Sequence, residues 1–304
     1  MGAPLITVLG SLNMDLVALV DRAPLQGETV TGREFRTIPG GKGANQAIAA
    51  ARAGASVAMI GAVGSDAFGD QLLATLHADG VDTARVRRTP GASGTAHIVV
   101  DSAGRNAIVV VPGANGTVTA LTEDDKDLIR KSRFLLMQLE LPLSVVEEGA
   151  AVAAEAGVTV VLTPAPAQPL PESLLRRVDW LVPNEHEAAL LTGESDLTKA
   201  GCMLAGLCRN VVITLGSEGC LLVTGGGRRS LPVDAVKVTP VDTTAAGDTF
   251  TGALAVALAE GKGAEDALRF ATRAAAISVT RLGASPSMPW RKEIDAFQPG
   301  REGL

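Results

Sequence analysis

The chain has 304 residues and a mass of 31.0 kDa, enough for one large domain or two moderate ones. Its 33 acidic and 27 basic side chains give a net charge of −6 and a pI near 5.2, which leaves no basic footprint for nucleic acid. Aromatic residues are 3% with no Tyr, so stacking platforms for single strands are scarce as well. A hydrophobic content of 46% and a mean hydropathy of +0.25 provide for a sizeable core and exclude a disordered chain. Apolar runs such as 109–111 and 134–137 fall far short of the ~20 residues of a membrane helix. Neither a nucleic acid nor a membrane is therefore expected as a partner. Residues 1–9 read as a strand, without the basic stretch and cleavage site of a signal peptide. Cys202, Cys208 and Cys220 are odd in number and lack CxxC spacing; they read as free thiols in a reducing cytoplasm. His77, His97 and His186 are scattered, and the segment starting at His186 is not HExxH, which excludes a zincin.

In chain order, residues 5–9 predict a strand that leads into a glycine turn. Residues 43–52 predict a helix closing at Gly54, 57–61 a strand, and 68–78 a helix ending at Gly80. Further on come a strand at 134–139, a helix at 144–156, and strands at 158–162 and 180–182. A helix at 185–191 and a strand at 211–215 follow. Two long helical patterns, 246–259 and 264–280, are separated by Gly261 and Gly263. Apolar strands alternating with helices define an α/β class with a mostly parallel, Rossmann-like sheet covered on both faces. Two regions, 13–39 and 94–111, lack helical period and read as extended, hairpin-rich segments. In the second, 95–101 and 106–111 flank the turn Ser102-Ala103-Gly104-Arg105. The two insertions are expected to form a small β-subdomain on a single domain spanning 1–304, since no linker or repeat interrupts the chain.

Three segments carry candidate chemistry. In Val241-Asp242-Thr243-Thr244-Ala245-Ala246-Gly247-Asp248, the small residues Ala245, Ala246 and Gly247 leave backbone N–H groups uncovered where a helix begins, which makes an anion site. Asp248 in that first turn either complements the helix dipole or takes a proton from an attacking hydroxyl during phosphoryl transfer. The segment Gly40-Gly41-Lys42-Gly43-Ala44-Asn45-Gln46 lacks GxxxxGK[ST] and is not a Walker A loop. Its glycines allow close backbone approach, with Lys42 and Asn45 as directional donors to a polyhydroxylated ligand; the plain alternative is a turn and helix cap. Asn13 and Asp15 follow the first strand and alternate, so an extended chain turns both to one side. Glu140 lies beyond another strand, and strand ends are where α/β proteins bind ligands.

Eight motifs in order, from Gly10-Ser11-Leu12-Asn13-Met14-Asp15 through Val63–Gly69, Gln138-Leu139-Glu140, Pro183–Glu187 and Thr214–Gly219 to Val279–Ser287, resemble the PfkB family of carbohydrate kinases. Gly41–Gln46, Gln138–Glu140 and the last motif are closer to its ribokinase branch than to adenosine kinases or fructokinases. The resemblance implies a ribokinase-like fold with a β-sheet lid over the sugar, and often a homodimer through the lids. It implies Asp248 as general base and the Ala245–Gly247 amides as anion hole. Asn13, Asp15, Gly41, Lys42, Gly43, Ala44, Asn45 and Glu140 would hold the sugar. Asn184, Thr214, Leu215, Gly216, Ser217, Glu218, Gly219 and Thr272, with Gly247 and Asp248, would line ATP. Glu187 would organise Mg2+ through water. K+ would be held by Asp242, Thr244, Ser278, Arg281, Gly283 and Ser287, several through main-chain carbonyls.

The sequence departs from the family pattern at Thr163, Thr251 and Thr272, where Asn, Asn, and His or Asn are common. The implied activity is ATP-dependent phosphorylation of D-ribose at its 5-hydroxyl. The alternatives are another acceptor (deoxyribose, fructose or adenosine) or a non-catalytic sugar or nucleotide sensor. A nicotinamide dehydrogenase is excluded, because GxGxxG is missing after the first strand.

Overall fold

The computed structural model describes residues 5–297; residues 1–4, part of the expected first strand, lie outside that range. The chain runs from β1 (Leu5–Leu9) into β2 (Asn13–Leu19) and β3 (Glu34–Gly40), then α1 (Lys42–Arg52), β4 (Ser56–Gly64), α2 (Ala67–Ala78) and β5 (Asp82–Thr89). The hairpin β6 (Gly94–Val100) and β7 (Asn106–Val111) follows, then α3 (Glu123–Lys131), β8 (Phe134–Met137), α4 (Leu143–Glu155), β9 (Thr159–Leu162) and α5 (Glu172–Leu175). Next come β10 (Trp180–Leu181), α6 (Glu185–Thr192), α7 (Leu197–Ala205) and β11 (Asn210–Thr214). A second hairpin, β12 (Cys220–Thr224) and β13 (Arg229–Val233), precedes α8 (Ala246–Ala259), α9 (Ala264–Ser278) and α10 (Arg291–Ala296).

Nine strands form one sheet in the order β13-β12-β11-β10-β9-β8-β1-β4-β5. From β5 to β11 the neighbours are parallel, while β12 and β13 add an antiparallel edge. Side chains along β1 alternate between two cores, as the two-residue period requires. Ile6 and Val8 pack with α1, α8 and α9, and Leu9 packs on the opposite face with α3 and α4. The expected α/β class and the elements from 43 to 259 are all present within one to three residues at each end. The strand expected at 134–139 stops at Met137, because Gln138 leaves the sheet to meet Gln46. The helix expected at 264–280 stops at Ser278, where the Val279 carbonyl turns to accept the N–H groups of Val241 and Asp242.

The insertions at 13–39 and 94–111 build the second sheet, in the order β3-β2-β6-β7. Its β2 pairs parallel with β6 from Asn13↔Gly94 and antiparallel with β3 from Asn13↔Gly40. The first turn of α1 tucks under β1 because Gly43 has no side chain: a Cβ there would sit 2.5 Å from the Ser11 nitrogen and 2.6 Å from the Gly10 carbonyl carbon. Helix α8 lies equally close to α1 through Gly252, where a Cβ would meet that of Ala49 at 2.7 Å and the Ala50 nitrogen at 2.9 Å. Backbone atoms cannot move aside cheaply, so Gly252→Ala is expected to destabilise the fold by about 1–3 kcal/mol. Urea unfolding of that variant against the parent measures this; an unchanged midpoint would show that the α1–α8 contact is not tight.

Candidate active site

At the C-terminal end of β1 the chain passes through Gly10–Leu12 into the small sheet, beside the N-terminus of α1. That helix starts at Gly41 (φ 92°) without a side-chain cap and without an acidic residue in its first turn. Its exposed N–H groups are satisfied from elsewhere: Lys42 N donates to Glu140 Oε2 (3.1 Å), Gly43 N to Ser11 Oγ (3.3 Å) and Ala44 N to the Ser11 carbonyl (2.9 Å). The Glu140 carboxylate thus sits where the helix dipole favours negative charge. It also accepts from Ser11 Oγ and, at 3.4 Å, from Asn13 Nδ2.

Asn13 is nearly fully buried and is oriented by Asn115. The Asn115 Nδ2 donates to Asn13 Oδ1 (2.8 Å) and to the Leu12 carbonyl, while its Oδ1 accepts from Leu12 N. Glycines in the flanking strands make the room. A Cβ at Gly94 would lie 2.3 Å from Asn13 Oδ1, and one at Gly40 would lie 2.6 Å from Asp15 Oδ2. Burial, then the Glu140 charge, push the Asp15 carboxyl up to about 7, with Lys42 pulling the other way.

Asp248, in the first turn of α8, is buried, and both its oxygens are held from α1. Asn45 Nδ2 donates to Oδ2 and Gln46 Nε2 to Oδ1, each at 3.1 Å. Burial raises its pKa, against the Lys42 ammonium and the two amides, which lower it. Burial also works against the Lys42 ammonium. The charges of Asp248, Glu140, Glu187 and Asp15 outweigh that cost and hold its pKa above normal. Ala245 immediately before α8 has φ 58°, a left-handed conformation costing a non-glycine residue on the order of 1–2 kcal/mol. Strain of this kind concentrates at functional sites, and the turn leaves the first N–H groups of α8 without a side-chain cap.

On the far side of this turn lies a mostly apolar cleft of about 280 Å³. It brings together Thr214, Gly216, Ser217, Gly219, Ala246, Gly247 and Thr272 of the expected set. The segment 235–238, Pro240, Thr243, Phe250, Ala275, Ala276 and Val279 complete its walls; no sequence motif pointed to 235–238, Pro240, Ala275 or Ala276. Leu215 and Glu218 are not among those walls: Leu215 packs into the core and Glu218 is exposed. Asn184 bridges to Thr214 through its backbone, and its side chain is engaged in a reciprocal cap with Glu187 (2.8 and 2.9 Å). Burial raises the Glu187 pKa, although the Asn184 N–H and Lys42 act in the opposite sense.

Behind the turn, Asp242 ties two loops together. Its Oδ1 accepts from Thr244 N (2.9 Å) and Oγ1 (2.6 Å), and its Oδ2 from Gly283 N (2.8 Å). Burial acts to raise its pKa, and these bonds hold it below the ordinary value. Ser278 and Arg281 share one turn, with Arg281 N on the Ser278 carbonyl, and Ser287 closes a short helical turn on Ala284. Among the described residues no cluster of three His, Cys, Asp or Glu side chains could hold a metal alone.

Ser11, Gln46, Gln138, Asn115 and Lys237 belong to this region, and sequence reasoning assigned none of them a role. Ser11, Gln46 and Gln138 stand inside family motifs. Asn115 and Lys237 sit in segments with no distinguishing spacing.

An α/β body carrying a second small sheet, with a buried carboxylate beside a bare helix start and an apolar cleft, defines a small-molecule phosphotransferase scaffold. The sequence profile described as "pfkB family carbohydrate kinase" matches residues 3–291, and the chain belongs to this family. It is 46% identical over 292 residues to a ribokinase of Bacillus subtilis, covering 95% of this chain and 98% of that one. It is 43% identical to a ribokinase of Schizosaccharomyces pombe, covering 95% and 96%. Among solved structures, Arabidopsis thaliana ribokinase complexed with ribose and ATP superposes with a TM-score of 0.90 at 36% identity, covering 98% of this chain and all of that one.

The raised Asp15 pKa has a stability consequence. Between the unfolded carboxyl pKa near 4 and the folded value of about 7, the native state binds more protons, so Asp15 lowers stability progressively as pH rises. Asp15→Asn is expected to melt higher than the parent at pH 8, with the gap closing toward pH 4. Thermal melts across that range check it; a gap independent of pH would show that Asp15 titrates normally.

Proposed function

We propose that this protein transfers the γ-phosphoryl group of ATP to the 5-hydroxyl of D-ribose, with Asp248 as general base. The observation that carries this reading is the Asp248 carboxylate, buried and held at both oxygens from α1, in the first turn of a helix whose Ala246 and Gly247 line the apolar cleft. The polar cluster of Asn13, Asp15, Lys42, Asn45 and Glu140 suits a pentose, because each hydroxyl left unmatched there would cost binding energy. The buried Asn45 Oδ1, without a partner among the described residues, is a ready acceptor for one of them. The relatives named as ribokinases, and the ribose–ATP complex of the Arabidopsis protein, support the same substrates.

In the reaction, Asp248 takes the proton as the O5–phosphorus bond forms and the bond to the ADP oxygen breaks. The N–H groups at Ala245–Gly247 meet the charge on the transferring group. Gly41, Gly43 and Ala44 are proposed to hold the sugar, and Asn184 and Thr272 to line the nucleotide; the place of Thr272 in the cleft supports the last of these. The small sheet is proposed to close over the sugar and exclude water.

Glu187 fits Mg2+ held through water. It is a single half-buried carboxylate near Lys42 and Asp248, and Mg2+ keeps several waters and takes other ligands from phosphates. The ion would neutralise charge on the phosphates. The oxygen-rich loops around Asp242, Thr244, Ser278, Arg281, Gly283 and Ser287 fit a hard monovalent cation such as K+, which would order the turn whose amides meet the phosphate. A homodimer through the small sheet is supported by its open edge strand β7, exposed along its length, with Val109 65% and Phe35 of β3 64% exposed. The three cysteines are unpaired and buried or half-buried, and burial pushes the thiols of Cys208 and Cys220 up to about 12 and 11. Inert thiols of this kind support a cytoplasmic location.

Asp248→Asn is expected to lower kcat by on the order of 10²–10⁴ while ribose affinity by calorimetry stays close to the parent's. Full turnover in that variant removes Asp248 as the base, and a parent that turns over fructose or adenosine faster than ribose overturns the acceptor. Replacing K+ by a large organic cation at constant ionic strength is expected to slow the rate; an unchanged rate refutes the monovalent-cation site.

A further inference from the structure

Two amides hold Asp248, and they differ in what else they do. Asn45 keeps its Oδ1 unpartnered among the described residues. Every polar atom of the Gln46 side chain is engaged, and the residue is fully buried. Its two Nε2 hydrogens go to Asp248 Oδ1 and Thr163 Oγ1, both at 3.1 Å, and its Oε1 accepts from Gln138 Nε2 at 2.6 Å.

The direction of the chain is set by hydrogen count. Thr163 accepts from Gln46, so its own hydrogen points onward to Thr251 Oγ1 (3.5 Å), which in turn donates to the Gly247 carbonyl (2.9 Å). The path therefore leaves Asp248, runs through side chains of α1 and the loop after β9, and returns to the backbone just before Asp248. Rotating the Gln46 amide would set its carbonyl against a carboxylate oxygen, so only one orientation is satisfied. Room for Gln138 comes from Gly10, where a Cβ would lie 2.2 Å from Gln138 Oε1. Thr163 and Thr251, two departures from the family pattern, face each other in this path.

We propose that Gln46 is a positioning residue for phosphoryl transfer: backed by Gln138 and Thr163, it fixes the rotation of the Asp248 carboxylate and keeps it ionised while a remaining lone pair meets the acceptor hydroxyl. This rests on Asp248 acting as base. The charged groups facing Asp248 are Lys42 from α1, Glu140 beyond β8, Asp15 from β2 and Glu187 from α6. None of them touches Gln46 in the hydrogen-bond network, so removing the amide acts on Asp248 itself.

Gln46→Met keeps the side-chain length and removes the donor. The expected result is a kcat reduced on the order of 10- to 100-fold, the loss of one hydrogen bond to a charged group. The acidic limb of the kcat/KM–pH curve should move up by about one unit. Ribose affinity by calorimetry should remain within about threefold, separating positioning from binding. Gln138→Met and Thr163→Val, which leave the Gln46 bond to Asp248 in place but unbacked, should show the same two changes at smaller size, and Thr163→Ser should restore both.

A folded Gln46→Met protein with kcat within about twofold of the parent and an unmoved acidic limb overturns the proposal. So does a loss of ribose affinity matching the loss of kcat. Should Gln46→Met fail to fold by circular dichroism, Gln138→Met and Thr163→Val decide the question through the same readouts. A parent inactive on ribose, but active on another sugar, fails only the acceptor assignment, and the variants are then compared on that sugar.

Discussion

The constraint on which the site depends is the close packing of α1 against the chain after β1 and against α8. Gly43 lets α1 start against the Ser11 backbone, and Gly252 lets α8 lie on α1 at the level of Ala49 and Gln46. Only with both contacts made can consecutive residues of α1, Asn45 and Gln46, reach the two oxygens of one carboxylate on α8. That carboxylate is otherwise a poor occupant of a buried position, since desolvation favours its neutral form. Two amides and the Lys42 ammonium supply the compensation from the same helix turn. Helix packing and the ionisation of Asp248 are in this sense one property.

Charge around that point is unevenly shared. Four carboxyl groups, Asp248, Glu140, Glu187 and Asp15, face the single ammonium of Lys42. Glu140 and Glu187 each find a helix N-terminus, on α1 and α6 respectively, where the dipole offsets their charge. Asp15 has no helix end and lies on a strand of the small sheet, so burial and the Glu140 charge carry its pKa up to about 7. Position in the fold, and not residue type, sets the Asp15 carboxyl so far above the ordinary aspartate value.

The main body was legible in the sequence because its strands are buried on both sides. Apolar runs such as Val57–Gly61 and Val211–Leu215 stand out between Ala-rich helices, and their order alone implies a parallel sheet. The antiparallel hairpin of β12 and β13 was missed because β13 carries Arg229, Ser230 and Pro232 on a half-exposed edge, where no apolar period forms. Likewise β5, rich in Arg, looks like a solvated surface, yet Arg87 meets the buried Asp125 of α3 across it. In the site, side chains that point at the ligand region were legible through motif and spacing. Gln46, Gln138 and Asn115 were not, since their function is to hold other polar groups, and nothing in residue type separates a holder from an ordinary buried amide.

The cleft proposed for the nucleotide obeys a different logic. Its walls are mostly apolar and backbone-built: glycines at 216 and 219, alanines at 235, 246, 275 and 276, and Val236 and Val238. Gly219 must be glycine, since a Cβ at its φ of 103° would lie 2.1 Å from the Val233 carbonyl. Thr272 turns its hydroxyl to the Leu268 carbonyl of its own helix (2.8 Å), leaving its methyl and backbone as the surface presented. A wall of this kind selects by shape and contact area, with few directional bonds. The side proposed for the sugar inverts this, with Asn13, Asp15, Lys42, Asn45 and Glu140 brought together by the fold and partly fixed by their own hydrogen bonds. Preorganised polar groups of that sort discriminate strongly against a ligand that leaves one of them unmatched. On the proposed assignment, acceptor choice is written in side chains, and nucleotide choice in the backbone that surrounds the cleft.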